Sequence, residues 1–250
     1  MQRYFIEEEN WLEEHITIKQ DDAKHITSVM RMKINDDIIC VHPDGKVAIC
    51  KIQSIEKPVV HAIVQQYITT DVELPVNVTI VQGLPKGQKL DFILQKGTEL
   101  GAYAFQFFTA KRSVAKWEPK KANQKLQRYE KIVKEAAEQS HRNHLPIIHD
   151  VKALGAIVSS LKKDDLILFA DEEAVKQNNF PRLQTQLKEM QSNQDIYVVI
   201  GPEGGIDQTE RDLLLRHGAK AIRLGPRILR TETAAMYVLA NISYELEETI

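Results

Sequence analysis

The chain has 250 residues, 43% of them hydrophobic, and a formal net charge of −2. That length and apolar content suffice for one large packed domain or two unequal ones, and the near-neutral balance makes no general demand for a polyanionic partner. No stretch reaches the ~20 apolar residues of a membrane span, and MQRYFIEEENWLEE lacks the basic and apolar regions of an export signal; a cytoplasmic protein with no membrane partner is expected.

In chain order, DDAKHITSVMRM (21–32) places Ile26, Val29 and Met30 at helical spacing behind a capping Asp. From DIICV to QQYI (37–68) the period falls to about two, with Asp44-Gly45 as a hairpin turn and Pro58 as a second break, which predicts a small antiparallel β unit. Cys40 and Cys50 flank the HPDGK turn, and without an export signal they are expected to stay reduced in the core of that unit. The polar, proline-bearing DVELPVN (71–77) then marks a junction, giving a first domain over 1–72 and a second over 73–250.

Beyond the junction, strands predicted at 78–84, 104–108, 166–170, 196–200 and 221–224 alternate with helices near 88–100, 122–140, 174–190, 208–217 and 233–247. Short apolar strands separated by helices define an α/β domain with a mostly parallel sheet covered on both faces. DQTE (207–210) reads as a capping box and Gly218 as a stop. A basic run from Lys86 through Lys111, Arg112, Lys116 and Arg128 to Lys134 leaves room for a local polyanion site. On the last helix Ala235, Val238, Leu239, Ile242 and Leu246 form one apolar stripe, with Met236, Tyr237 and Tyr244 on another face. That is either a partner surface or a helix buried on both sides.

Ligands of open parallel sheets sit at the carboxyl ends of strands, which directs attention to GPEGG (201–205) and GPRILRTETA (225–234). Neither loop has the glycine and lysine spacing of a phosphate cradle, and Glu203 would repel a phosphate at the following helix start. A cationic nucleoside without phosphate, such as S-adenosylmethionine, fits better, with Gly201, Gly204, Gly205 and Gly225 admitting close backbone approach. His141, His144 and His149 lack metal-ligand spacing, and no metal is expected.

IGPEGGIDQTE and LGPRILRTETA, taken with KGTELG (96–101), EAAEQSHRNHLP (135–146), RYF (3–5) and HITSVMRMKINDDI (25–38), closely resemble the RsmE family of bacterial 16S rRNA (uracil-N3)-methyltransferases of the SPOUT class. The resemblance covers essentially the whole chain. It implies a PUA-like barrel, a methyltransferase domain with a C-terminal trefoil knot, a homodimer, and 16S rRNA of the small ribosomal subunit as substrate. It further implies S-adenosylmethionine held at Ala170, Ile200, Gly201, Glu203, Gly204, Gly205, Leu224, Gly225, Leu229 and Thr233. Asn35-Asp36-Asp37 replaces the Gly-Asp often found before the second barrel strand; Asn also tolerates positive φ, so only local turn geometry is affected.

Methylation at uracil N3 requires loss of a proton that is weakly acidic near neutral pH. Arg230 could stabilise the anion at O2 or O4, while Glu232 or Glu203 could take the proton or hold Arg230, and the sequence leaves these roles open. The resemblance singles out Arg112, Glu135, Gln139 and Arg142 on the RNA side, and Arg3, His25, Arg31 and Lys33 are expected to dock RNA from the barrel. The competing expectation is a catalytically silent RNA-binding or ribosome-assembly factor on the same fold.

Overall fold

A computed structural model of the protein describes residues 1–69, 72–113, 117, 119–172 and 182–249. The chain forms two compact units, Met1–Glu73 with Ala137–Leu145, and Leu74–Ala136 with Pro146–Ile250. Asp71 of the expected junction, Lys116 of the basic run and residues 174–181 of an expected helix lie outside the described residues.

The first unit holds one six-stranded sheet in the order β1-β4-β5-β6-β3-β2. Its strands are β1 (Arg3–Phe5), β2 (Trp11–Leu12), β3 (His15–Ile18), β4 (Asp37–Val41), β5 (Val47–Glu56) and β6 (Val59–Ile68). The alternating residues Ile38, Cys40, Ala48, Cys50, Ile52, Val60 and Ala62 point one face into a shared core with Ile16, Ile18 and Ile26. Four of the five strand pairs are antiparallel, as the hairpin signals predict, but β1 runs parallel to β4 with Arg3 opposite Ile39. A three-residue strand at the chain start carries too short a pattern to announce its direction. The expected helix at 21–32 is shorter: Gln20–Lys24 is α-helical (α1), and the chain then widens so that the Met30 amide bonds the His25 carbonyl at 2.9 Å. Asn35 adopts φ +75°, the left-handed geometry that its replacement of glycine allows. Cys40 and Cys50 are free and buried, and the hydrogen bond between them together with burial pushes the Cys40 thiol well up, which keeps it protonated.

Arg3 and Arg142 correct an expectation. Both were placed on an RNA-facing surface, yet they are only 4% and 3% exposed. The Arg3 guanidinium donates to the Arg142 carbonyl and to Asn143 Oδ1, each at 2.7 Å. That of Arg142 pairs with Glu73, whose carboxylate also accepts from the Asn143 and His144 amides at 2.8 and 3.0 Å. A buried guanidinium demands such acceptors, so these arginines hold residues 137–145 within the first unit.

The second unit is built on a sheet of order β12-β10-β11-β7-β8-β9, parallel throughout. The strands are β7 (Asn77–Gly83), β8 (Ala104–Phe108), β9 (Ile147–Ile148), β10 (Leu166–Ala170), β11 (Asp195–Ile200) and β12 (Lys220–Ile222). Its helices are α2 (Lys89–Glu99), α3 (Pro119–Gln139), α4 (Leu154–Ser159), α5 (Leu183–Leu187), α6 (Gln208–Arg216) and α7 (Thr231–Glu247). Successive residues of the strands enter opposite cores: Val78, Ile80, Ile196, Val198 and Ile200 pack under α2 and α7, whereas Val81, Phe108, Phe169 and Val199 pack under α4 and α6. Both faces are therefore covered, as the continuous apolar strands predict. β9 and α4 were not anticipated, being a two-residue strand and a six-residue helix containing Gly155.

The capping box on α6 is present, with Asp207 accepting from the Thr209 amide and Glu210 from the Asp207 amide, both at 2.9 Å, and Gly218 ends the segment at φ +79°. On α7 the stripe Ala235, Val238, Leu239 and Ile242 is buried, Met236 and Tyr237 pack partly against the same core, and Tyr244 is 63% exposed.

Replacing Glu73 with Ala leaves the Arg142 guanidinium buried without its carboxylate and strips two amides of an acceptor. The first unit should lose roughly 2–4 kcal/mol of stability, read in urea melts by the fluorescence of Trp11, which lies in that unit's core.

Candidate active site

The carboxyl ends of β10, β11 and β12 open onto a cavity of about 460 Å³ within the second unit. Its inner wall is apolar, made by Ala170, Ile200, Ile222, Leu224, Leu229 and Ala234. The loop Gly201–Ile206 forms one side, and the rim carries Lys89, Arg112, Arg211, Arg227 and Arg230 against Asp171, Glu172 and Glu203. A flat apolar group fits the strand ends and a polar, partly charged group fits the rim.

A buried relay fixes the loop. The Gln82 carboxamide, fully enclosed at the end of β7, donates to the Gly83 carbonyl and to Thr231 Oγ1, each at 2.9 Å. The Thr231 hydroxyl in turn donates to the Gly201 carbonyl at 2.7 Å. One side chain thus connects the end of β7, the start of GPEGG and the first residue of α7. Gly83 completes the contact, because a Cβ there would lie 2.6 Å from Pro202 Cδ.

The acidic residue of GPEGG is answered from α2. Glu203 accepts from the Lys86 amide at 3.1 Å and from Lys89 Nζ at 2.7 Å, and Lys89 Nζ also lies 3.7 Å from Glu232 Oε2. Partial burial pushes the Glu203 pKa up, but the hydrogen bonds from Lys89, its own backbone and Lys86, with the Lys89 charge, outweigh it and leave the carboxyl below its ordinary value. The hydrogen bond to Glu203 raises the Lys89 pKa in turn. Glu203 is therefore not an unpaired acid awaiting a cationic ligand, which corrects the charge argument made from the loop alone. The carboxylate without a hydrogen-bond partner among the described residues of the rim is Glu172; Asp171 holds Arg211 at 2.8 Å.

The loop glycines also differ from expectation. A Cβ on Gly201 would meet the Gly205 carbonyl carbon at 2.8 Å, and one on Gly204 would meet Arg112 Cβ at 2.8 Å. Both positions are closed by the protein's own chain, so they need glycine for the loop to fold on itself. Gly205, at φ +70°, faces the cavity near Glu172.

Of the residues expected at the cofactor, Ala170, Ile200, Gly201, Glu203, Gly205, Leu224 and Leu229 line the cavity; Gly204 backs onto Arg112, and Gly225 and the exposed Thr233 stand outside the lining. Arg230 lines it at the N-cap of α7, with Glu232 half-buried beside it. Arg112, expected on the RNA side, is part of the same rim and donates to the Gly204 carbonyl at 3.1 Å. Glu135 is exposed on the second-unit part of α3. Arg31, Lys33 and Gln139 are exposed on the first unit, where His25 is half-buried with Nδ1 3.0 Å from Tyr4 Oη. Sequence reasoning missed Gln82, Lys89 and Thr231. The signal was a glutamine at the end of the otherwise apolar VTIVQGL, a polar group that a buried strand keeps only when it is hydrogen-bonded.

Residues 72–243 match the model of the RNA methyltransferase domain, and residues 18–65 match that of the RNA methyltransferase PUA domain. The chain is 44% identical over 250 residues to ribosomal RNA small subunit methyltransferase E of Bacillus subtilis (strain 168), covering 99% of this chain and 98% of that protein. A crystal structure of a hypothetical protein superposes with a TM-score of 0.90 at 41% identity, covering 100% of both chains. That of ribosomal RNA small subunit methyltransferase E from Neisseria gonorrhoeae bound to S-adenosyl methionine gives 0.85 at 27% identity over 97% of both. The chain belongs to the RNA methyltransferase family defined by these two domains.

The Lys89–Glu203 tie has a pH signature. A carboxyl with a depressed pKa contributes stability above its ordinary value of 4.5 and loses it as pH falls through the folded pKa. In a carbon-NMR titration Lys89→Met should move the Glu203 carboxyl up toward 4.5, and only partly, because the Lys86 amide bond remains.

Proposed function

We propose that the protein transfers a methyl group from S-adenosylmethionine to N3 of a uridine in the 16S RNA of the small ribosomal subunit. The observation that carries this reading is the cavity at the carboxyl ends of β10–β12, where an apolar wall and a tightly folded glycine loop adjoin Arg230 and the carboxylates of Asp171, Glu172 and Glu203, in a chain of the RNA methyltransferase family. The residues fit the cofactor: Ala170, Ile222, Leu224 and Ala234 offer an apolar slot for adenine, backbone groups of the loops 201–206 and 225–230 can bond its edges, and Glu172 is available to ribose hydroxyls or an ammonium. Bound there, S-adenosylmethionine supplies an electrophilic methyl group on a sulfonium.

The protein's own task is to prepare N3. Arg230 holds negative charge on a uracil carbonyl as the N3 proton departs, and its place at the α7 N-cap fixes its backbone through the Ala234 amide bond to the Arg230 carbonyl at 2.9 Å. RNA docking falls to the first unit with exposed Arg31 and Lys33, and methyl transfer to the second, which differs from the expected division at 72/73 in that Glu73 and residues 137–145 join the first. A trefoil knot belongs to the same reading, supported by the order β12-β10-β11, in which the chain leaving β11 passes β10 to reach the far strand. So does a cytoplasmic homodimer acting through the second unit, supported by exposed Phe92, Ile228 and Tyr244.

The test is incubation with unmodified small ribosomal subunits and labelled S-adenosylmethionine, followed by mass spectrometry of the RNA nucleosides. 3-Methyluridine should form in proportion to enzyme; cofactor binding without any transfer would leave a binding factor. Arg230→Ala should keep cofactor affinity by calorimetry while slowing single-turnover transfer by a factor on the order of 10²–10³.

A further inference from the structure

Lys89 has a place that a surface ion pair does not explain. Its ammonium lines the cavity between carboxylates from two different segments, 2.7 Å from Glu203 and 3.7 Å from Glu232. Arg230, a second cation, lines the same cavity close enough to oppose the charge on Lys89. Among the described residues the ammonium hydrogen-bonds only Glu203 as a side chain, and an ammonium has three donors. The nearer Glu232 oxygen, Oε2, is buried with no hydrogen-bond partner, and the Lys89 ammonium is the cation beside it.

We infer that Lys89 is a catalytic residue of the proposed uracil reaction: it donates to a uracil carbonyl oxygen and holds the negative charge that develops when the N3 proton passes to Glu232. The N3–H bond breaks, its electron pair stays on the ring shared among N3, O2 and O4, and the proton ends on the Glu232 carboxylate at Oε1, since Oε2 is enclosed. Charge is conserved locally, since the carboxylate is neutralised as the ring becomes anionic, and Lys89, already adjacent to Glu232, needs no rearrangement to follow that charge. Glu203 is then a positioning residue that keeps the ammonium at the cavity wall. This inference rests on the uracil-N3 reading above.

The experiment compares small subunits reconstituted with uridine or with 5-fluorouridine in the RNA, in single turnovers at saturating S-adenosylmethionine. Fluorine at C5 makes N3 more acidic, so that the anion needs less help. Lys89→Met should slow transfer on the order of 10²-fold with uridine but only about tenfold or less with 5-fluorouridine. Glu203→Gln, which loosens the clamp yet keeps the ammonium, should show the same substrate dependence with a smaller loss, since Glu203 acts through Lys89. Equal loss on the two substrates in Lys89→Met, or no loss on either, would overturn the role of Lys89. Failure of the wild type to methylate N3 of either substrate would instead refute the uracil reading itself.

Discussion

Everything at the cavity depends on one enclosed side chain. Gln82 has no exposed surface, and its carboxamide, through the Thr231 hydroxyl, ties together the ends of β7 and β11 and the first turn of α7. Each such hydrogen bond is worth only about 1 kcal/mol net, but leaving a buried donor unmade costs more than that. The relay therefore acts as a register constraint: GPEGG and the α7 N-cap cannot shift independently without stranding a polar group in the core. Arg230 and Glu232 flank Thr231 in sequence, so the residue that anchors the cofactor loop also sets the position of those nearest the proposed chemistry.

A second constraint is electrostatic. The loop pairs its own acid, Glu203, with Lys89, and packs its glycines against Arg112 and its own return segment. The arginines Arg112, Arg211, Arg227 and Arg230 then outnumber the remaining carboxylates Asp171 and Glu172 around the cavity, and Asp171 is committed to Arg211. The field at the rim is positive, which suits approach of a phosphate backbone, while the apolar wall with Glu172 at its edge suits a nucleoside carrying a positive charge. One cavity thus offers different surfaces to two ligands of opposite charge.

The sequence made the second unit's grammar legible because its strands are short, apolar and punctuated: 104–108 and 166–170 coincide with the observed strands, and the capping box at Asp207 and Glu210 is formed. β9 and α4 escaped notice since neither is long enough to carry a period. At the site, Arg230 and the loop residues could be picked out from their place at strand ends. Lys89 and Gln82 could not, because what matters about them is a contact across more than a hundred residues, Lys89 with Glu203 and Gln82 with Thr231. The same blindness misplaced Arg3 and Arg142. A charged residue in a sequence looks solvent-facing until its partner is known, and Glu73, in the polar junction, gave no sign of being that partner.

The burial of those two arginines alters how the first unit can meet RNA. At 4% and 3% exposure the Arg3 and Arg142 guanidiniums are enclosed away from any phosphate, so their contribution is to fix residues 137–145, the end of α3 and the segment after it, within the first unit. Of the first-unit residues expected to dock RNA, Arg31 and Lys33 are exposed. Arg31 is held at φ +54°, a left-handed conformation that side chains adopt only under local constraint. On the proposed reading, the exposed turn after α1, not the buried arginines, is where the first unit meets RNA.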